Sequence, residues 1–168
     1  MFRAHVVIGV IGVVVLLAAS LCAAQQSSEP SATTSCYLDD GRQVYVRYNP
    51  ATTKTDRISN GKPFTPGGMP MTLFTEAQLS FGGTTIPVGA YTVYPIPEKA
   101  KWILAVNKNV SARAAYDEKQ DVARTPMETD QLPESADTLE VAFAHVGSRC
   151  TLRIVFGKAA TFADFVAK

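Results

Sequence analysis

The chain has 168 residues, 46% of them hydrophobic and 18% charged, with 16 Lys and Arg against 15 Asp and Glu. That length and apolar content suit one domain with a true core. A net charge of +1 lacks the basic footprint of a nucleic-acid binder or a polybasic membrane binder, and only two histidines, His5 and His145, cannot furnish a His-rich metal centre.

The N-terminus comes first. Residues 1–24 carry Arg3 near the start, an apolar run from Val6 to Leu21 and a small-residue exit. The run falls short of the ~20 residues that span a bilayer comfortably. Basic start, apolar middle and small exit describe a secretory signal peptide cleaved after Ala24. An uncleaved anchor is the alternative. A lipoprotein acylated at Cys22 is opposed by the bulky Leu21, where such signals carry a small residue. The expected location is therefore the periplasm or the exterior, with no stable membrane span in the mature form.

Cleavage removes Arg3 but no acid, leaving 15 basic and 15 acidic residues. It also removes His5 and Cys22, so that His145, Cys36 and Cys150 remain. An even pair of cysteines in an exported chain reads as a disulfide, Cys36–Cys150. Two buried free thiols are the alternative.

Residues 25–35 are polar, lack aromatics and show no period, and read as a flexible leader. From Cys36 onward the period is two. Cys36 and Leu38, the turn signal Asp39-Asp40-Gly41, and alternating Val44, Val46 and Tyr48 read as a hairpin that Pro50 ends. Residues 51–71, rich in Gly and Pro, read as a long loop, a type that is usually functional or mobile.

Strand signals resume at Ala77, Leu79 and Phe81, turn at Gly82-Gly83 and return through Thr84–Pro87. Residues 89–94 and 102–106 form a further pair, with Pro95 and Pro97 expected to end the first strand or set it at an edge. Leu139, Val141 and Phe143 alternate, as do Cys150, Leu152, Ile154 and Phe156 after the turn at Gly147-Ser148. Phe162, Phe165 and Val166 are compatible with a short helix or a closing strand. The sum is an all-β fold, an antiparallel sandwich or partly open barrel over residues 36–168.

The stretch Ile86-Pro87-Val88-Gly89-Ala90-Tyr91-Thr92-Val93-Tyr94-Pro95-Ile96-Pro97, then Lys101-Trp102-Ile103-Leu104-Ala105-Val106-Asn107-Lys108, resembles a family of exported bacterial proteins called domain of unknown function 2911. Tyr116–Asp121 and Arg124 with Pro126 fit the same pattern. Many members carry a Trp-Arg-Thr-Gly-Ala-Asn segment before the Gly-Tyr strand. Here Gly61–Phe81 has neither Trp nor Arg, which leaves the role of that segment open. The resemblance implies an exported, sandwich-like all-β domain and transfers no catalytic residue. It also makes glycosylation at the Asn109-Val110-Ser111 sequon an unneeded assumption.

No constellation for chemistry emerges. His145 continues the face of Leu139, Val141 and Phe143 and reads as a hydrogen-bonded residue at the rim of the core. Zinc catalysis needs three protein ligands, and a serine triad has no G-x-S-x-G elbow to present its nucleophile. Asp39-Asp40 and Asp117-Glu118 with Asp121 lack calcium-loop spacing and read as solvated loops. No phosphate-cradling loop is present. The sequence thus implies no metal, no cofactor and no catalytic residue.

Trp102, Tyr91 and His145 are the weak candidate ligand contacts, with Trp102 read first as core packing and ligand stacking as its alternative. The leading function is a non-catalytic exported module that binds a small ligand, glycan or envelope protein, or scaffolds. The alternative is a hydrolase-like enzyme with a site near His145 and the 55–71 loop. An exposed aromatic strip would favour glycan or protein binding. A deep pocket holding His145 beside an acid would favour the enzyme.

Overall fold

The computed structural model describes residues 31–99, 101–111 and 115–168. The expected signal peptide, Cys22 and the first part of the expected leader lie outside the described residues. Among those described, the fold is all-β, with two short 3-10 turns and no α-helix.

Nine strands follow one another: β1 (Ala32–Tyr37), β2 (Gln43–Tyr48), β3 (Met71–Thr75), β4 (Leu79–Phe81), β5 (Thr84–Ile86), β6 (Gly89–Pro97), β7 (Trp102–Asn107), β8 (Asp121–Val146) and β9 (Arg149–Ala167). They pair antiparallel in the order β1-β2-β3-β6-β7-β8-β9-β4-β5. The sheet rolls over until its first strand meets its late ones. Beyond β2, Ala51 O accepts from Leu139 N at 2.8 Å and Thr53 N donates to Asp137 O at 2.9 Å. Cys36 of β1 and Cys150 of β9 are joined by a disulfide, with Cα atoms 6.1 Å apart.

Alternation decides which face is inside. Val44 and Val46 of β2, Met71 and Leu73 of β3, and Leu104 and Val106 of β7 are fully buried. Leu152 and Ile154 of β9 join the same cluster, as do Phe81 and Phe165, whose rings stack at 4.6 Å. A smaller cluster sits on the opposite face of β6 and β7, where Tyr94, Ile96 and Ala105 pack with Ile103 and Tyr116. Tyr94 and Tyr116 meet edge to face at 4.8 Å. The second half of β6 is therefore buried on both faces.

Four expectations change. β1 begins at Ala32, so residues 32–35 are strand rather than leader; they pair in register with Tyr45–Tyr48 of β2. β3 starts at Met71, the last residue of the expected loop, and occupies a stretch for which no strand is expected, because it follows directly on a Gly- and Pro-rich run.

β6 runs through both prolines instead of stopping at them. Pro95 and Pro97 still pair with Leu104 and Trp102 of β7, and their carbonyls accept from Phe64 N and Gly61 N on the other side. In an antiparallel strand a residue's N–H and C=O point the same way. The missing N–H groups thus face the edge, which lies beyond the start of β3. Finally, the first half of β8, from Asp121 to Gln131, gave no strand signal, yet it fills the ladder between β7 and β9.

The long loop has a structural task of its own. Gly61 and Phe64 cap the free edge of β6 through those carbonyls. Phe64 is buried, its ring 4.8 Å from that of Phe156.

Candidate functional site

The anticipated contact residues do not converge. Tyr91 is a core residue whose hydroxyl donates to Pro87 O at 2.9 Å, and burial raises its phenol pKa. Trp102 is half-buried against the main core. His145 stands at the exposed end of the β8–β9 hairpin, its Nε2 bonded to Gly147 O and 3.9 Å from Asp39 Oδ1.

The 55–71 loop lies elsewhere. It begins after the far end of β2, whereas Asp39 belongs to the turn before that strand. About 17 Å of extended chain separates the two ends of β2. The proposed hydrolase elements are thus not neighbours.

Three polar or aromatic assemblies emerge in their place. The first is a clasp on the family-like motif. Asn107 Nδ2 donates to Asp121 Oδ1 at 2.7 Å and to Asp117 O at 2.9 Å. Tyr116 OH donates to Asp121 Oδ2 at 2.6 Å, and Arg124 bridges Tyr116, Asp121 and Glu118. Desolvation, then the bond to Asp121, pushes the Tyr116 phenol well above its usual range. Asp117 and Glu118 are exposed as expected, but the Asp121 side chain is only 5% exposed and is a buried hub rather than part of a solvated loop. Every member has its partners, so the clasp reads as architecture.

The second is an aromatic strip on the outer face of β1–β3. Tyr37 is 64% exposed, and Tyr45 stacks on Phe74 at 4.6 Å with Arg47 standing 5.6 Å from the Phe74 centroid. Tyr45 and Phe74 cover a face of each other and Arg47 lies over Phe74, so this is no open platform for a planar ligand.

The third is a groove of about 440 Å³. Its walls come from Gly82 of the β4–β5 turn, from Thr125, Pro126 and Glu128 of β8, and from Arg149, Thr151 and Phe162–Asp164 of β9. Two features of the backbone assemble it. β9 doubles back at Gly157, whose φ of 61° suits only glycine comfortably. This brings Ala167 N to Ser148 O at 2.8 Å and Thr151 Oγ1 to Asp164 Oδ1 at 2.5 Å. Across the ladder, Glu128 is the direct partner of Phe162.

The groove's polar groups are only partly engaged. Arg149 makes one long contact, 3.6 Å, with Asp164. Glu128 is exposed and Thr125 half-buried. The volume falls within the ~300–1,000 Å³ of small-molecule sites, and its lining includes two threonines, a glutamate and an arginine. Sequence reasoning missed it because its residues span more than eighty positions. The outward alternation of Thr151 with Cys150 and Leu152 was visible, but the fold-back at Gly157 was not.

The family-like residues now have places: Gly89, Tyr91 and Tyr94 on β6, Trp102 and Asn107 on β7, Tyr116, Asp121 and Arg124 in the clasp. Residues 29–162 match the family described as "Protein of unknown function (DUF2911)". The chain belongs to that family. No curated protein and no solved structure matches it at a significant level. The DUF2911 hallmark thus maps to the clasp and to the doubly buried half of β6, whereas most of the groove is built from residues outside the hallmark strands.

Proposed function

We propose that this DUF2911 chain is an exported, non-catalytic binding module that holds a small polar ligand in the groove between β8, β9 and the β4–β5 turn. One observation carries the reading: an open space of about 440 Å³ whose lining includes Thr125, Glu128 and Arg149, the last held only by a 3.6 Å contact to Asp164. A surface that had only to be soluble would gain nothing from gathering these groups around one recess. Export is supported by the signal-peptide pattern of residues 1–24 and by the Cys36–Cys150 disulfide, a bond that persists in oxidising compartments. Among the described residues no helix is long and apolar enough to cross a membrane.

A thermal-shift screen of small polar compounds tests the reading. A ligand at about 100 times its Kd stabilises the folded state by about 2.7 kcal/mol. The expected hits raise the melting temperature of the native chain and lose that effect in Glu128→Gln. Hits unaffected by groove substitutions overturn the reading. So does turnover that disappears in His145→Gln at unchanged stability, which would revive the hydrolase.

A further inference from the structure

Resting on the groove reading above, we infer that the ligand is a neutral saccharide of one or two rings. The chemistry of the walls narrows the class. Arg149 offers planar N–H donors, of which one contact to Asp164 engages only a part. Glu128 offers two acceptor oxygens, the Thr125 hydroxyl can donate or accept, and the Thr151 hydroxyl, whose proton goes to Asp164, can still accept. Phe162, half-buried, supplies an apolar wall beside them.

A fixed-charge ligand fits this arrangement poorly. An anion drawn to Arg149 meets the carboxylates of Glu128 and Asp164. A cation drawn to Glu128 meets Arg149, while Asp164 is already held by Arg149 and by Thr151 at 2.5 Å. Adjacent hydroxyls on a ring satisfy both kinds of group at once, because each hydroxyl donates and accepts. The apolar C–H face of a pyranose then has Phe162 to lie against. The volume of about 440 Å³ is large enough for more than one ring.

Calorimetric titration of the purified chain separates the possibilities. The probes are cellobiose, maltose and diacetylchitobiose as neutral sugars, glucosamine as a charged sugar, and lysine and glutamate as charged non-sugars. At least one neutral disaccharide is expected to bind, and to weaken by about tenfold in Glu128→Gln and in Arg149→Gln. Both side chains are exposed, so these variants should keep the melting temperature of the parent. Phe162→Ala should weaken the same sugar, and its melting temperature separates a lost ligand contact from lost packing.

Tighter binding of lysine, glutamate or glucosamine, lost in the groove variants, overturns the neutral-saccharide inference while leaving the groove as a binding site. Binding of a neutral sugar that ignores all three substitutions overturns the inference too. Absence of groove-dependent binding for every probe, alongside groove-dependent hits in the thermal screen, overturns the ligand class alone. Absence in both experiments overturns the site as well.

Discussion

Asn107 and Asp121 are bonded side chain to side chain at 2.7 Å, across the point where the β7–β8 ladder shifts register. Asn107 is 1% exposed and ends its strand; Asp121 begins the next. The amide therefore holds shut the long connection between them, through Asp117 O on one side and Asn109 N on the other. Asn107→Ala should leave the Asp121 carboxylate and the Asp117 carbonyl short of donors. The expected loss is about 1–3 kcal/mol, read as a lower urea midpoint. An unchanged midpoint would mean that water replaces the amide at no cost.

Tyr116 predicts an alkaline signature. Its phenol is raised from 10.0 by desolvation and then by its bond to Asp121, with Arg124 acting in the opposite sense and Glu118 adding to the rise. A raised folded-state value means that the neutral form is favoured by folding. The contribution is complete below the unfolded value and declines as pH climbs above about 10 towards the folded value. Tyr116→Phe removes the titrating group, so its melting temperature should fall less steeply than that of the parent between about pH 9 and about pH 12. Tyr91, raised by burial alone, accounts for part of the remaining slope. Identical slopes in parent and variant would contradict the assignment.

Much of this fold was legible because alternation survives wherever one face is buried. The Val44–Val46 hairpin, the Leu79–Phe81 strand, the Trp102–Asn107 strand and the two strands flanking Gly147-Ser148 all carry it. The signal fails where both faces are covered or neither is. β6 beyond Val93 is buried on both sides, so Pro95 and Pro97 looked like stops. Glu128–Gln131 of β8 is exposed throughout and has no apolar face to display. The candidate site shares that difficulty: Glu128 and Phe162 meet by ladder register and Thr151 and Asp164 by the fold-back at Gly157. Register and fold-back are tertiary facts with no local pattern.

Gly82 is the position where a single methyl group should do most harm. Its φ is 53°, and a Cβ there would lie 1.8 Å from Thr125 Oγ1. Two costs therefore add, left-handed backbone strain of about 1 kcal/mol for a non-glycine residue and a steric overlap that must displace Thr125. Gly82→Ala should lower stability by about 2–4 kcal/mol. In the double variant Gly82→Ala with Thr125→Ala, the overlap with Oγ1 is relieved and the backbone cost remains, so part of the loss should return. Equal stability of the single and double variants would assign the whole effect to backbone strain.

The Cys36–Cys150 bridge should show its effect chiefly in the unfolded chain. It ties residues 114 positions apart, for which loop-closure entropy gives about 4–5 kcal/mol before any native-state strain is deducted. Both cysteines are buried, so the folded protein should resist mild reductant and lose the bond only on opening. The double variant Cys36→Ala with Cys150→Ala separates the cross-link from the packing of a lone thiol. Its urea midpoint should fall, and its m-value should rise, because an unlinked denatured chain exposes more surface than a cross-linked one. A lower midpoint with an unchanged m-value would instead assign the loss to the two small cavities left in the core, which are worth less and act on the folded state alone.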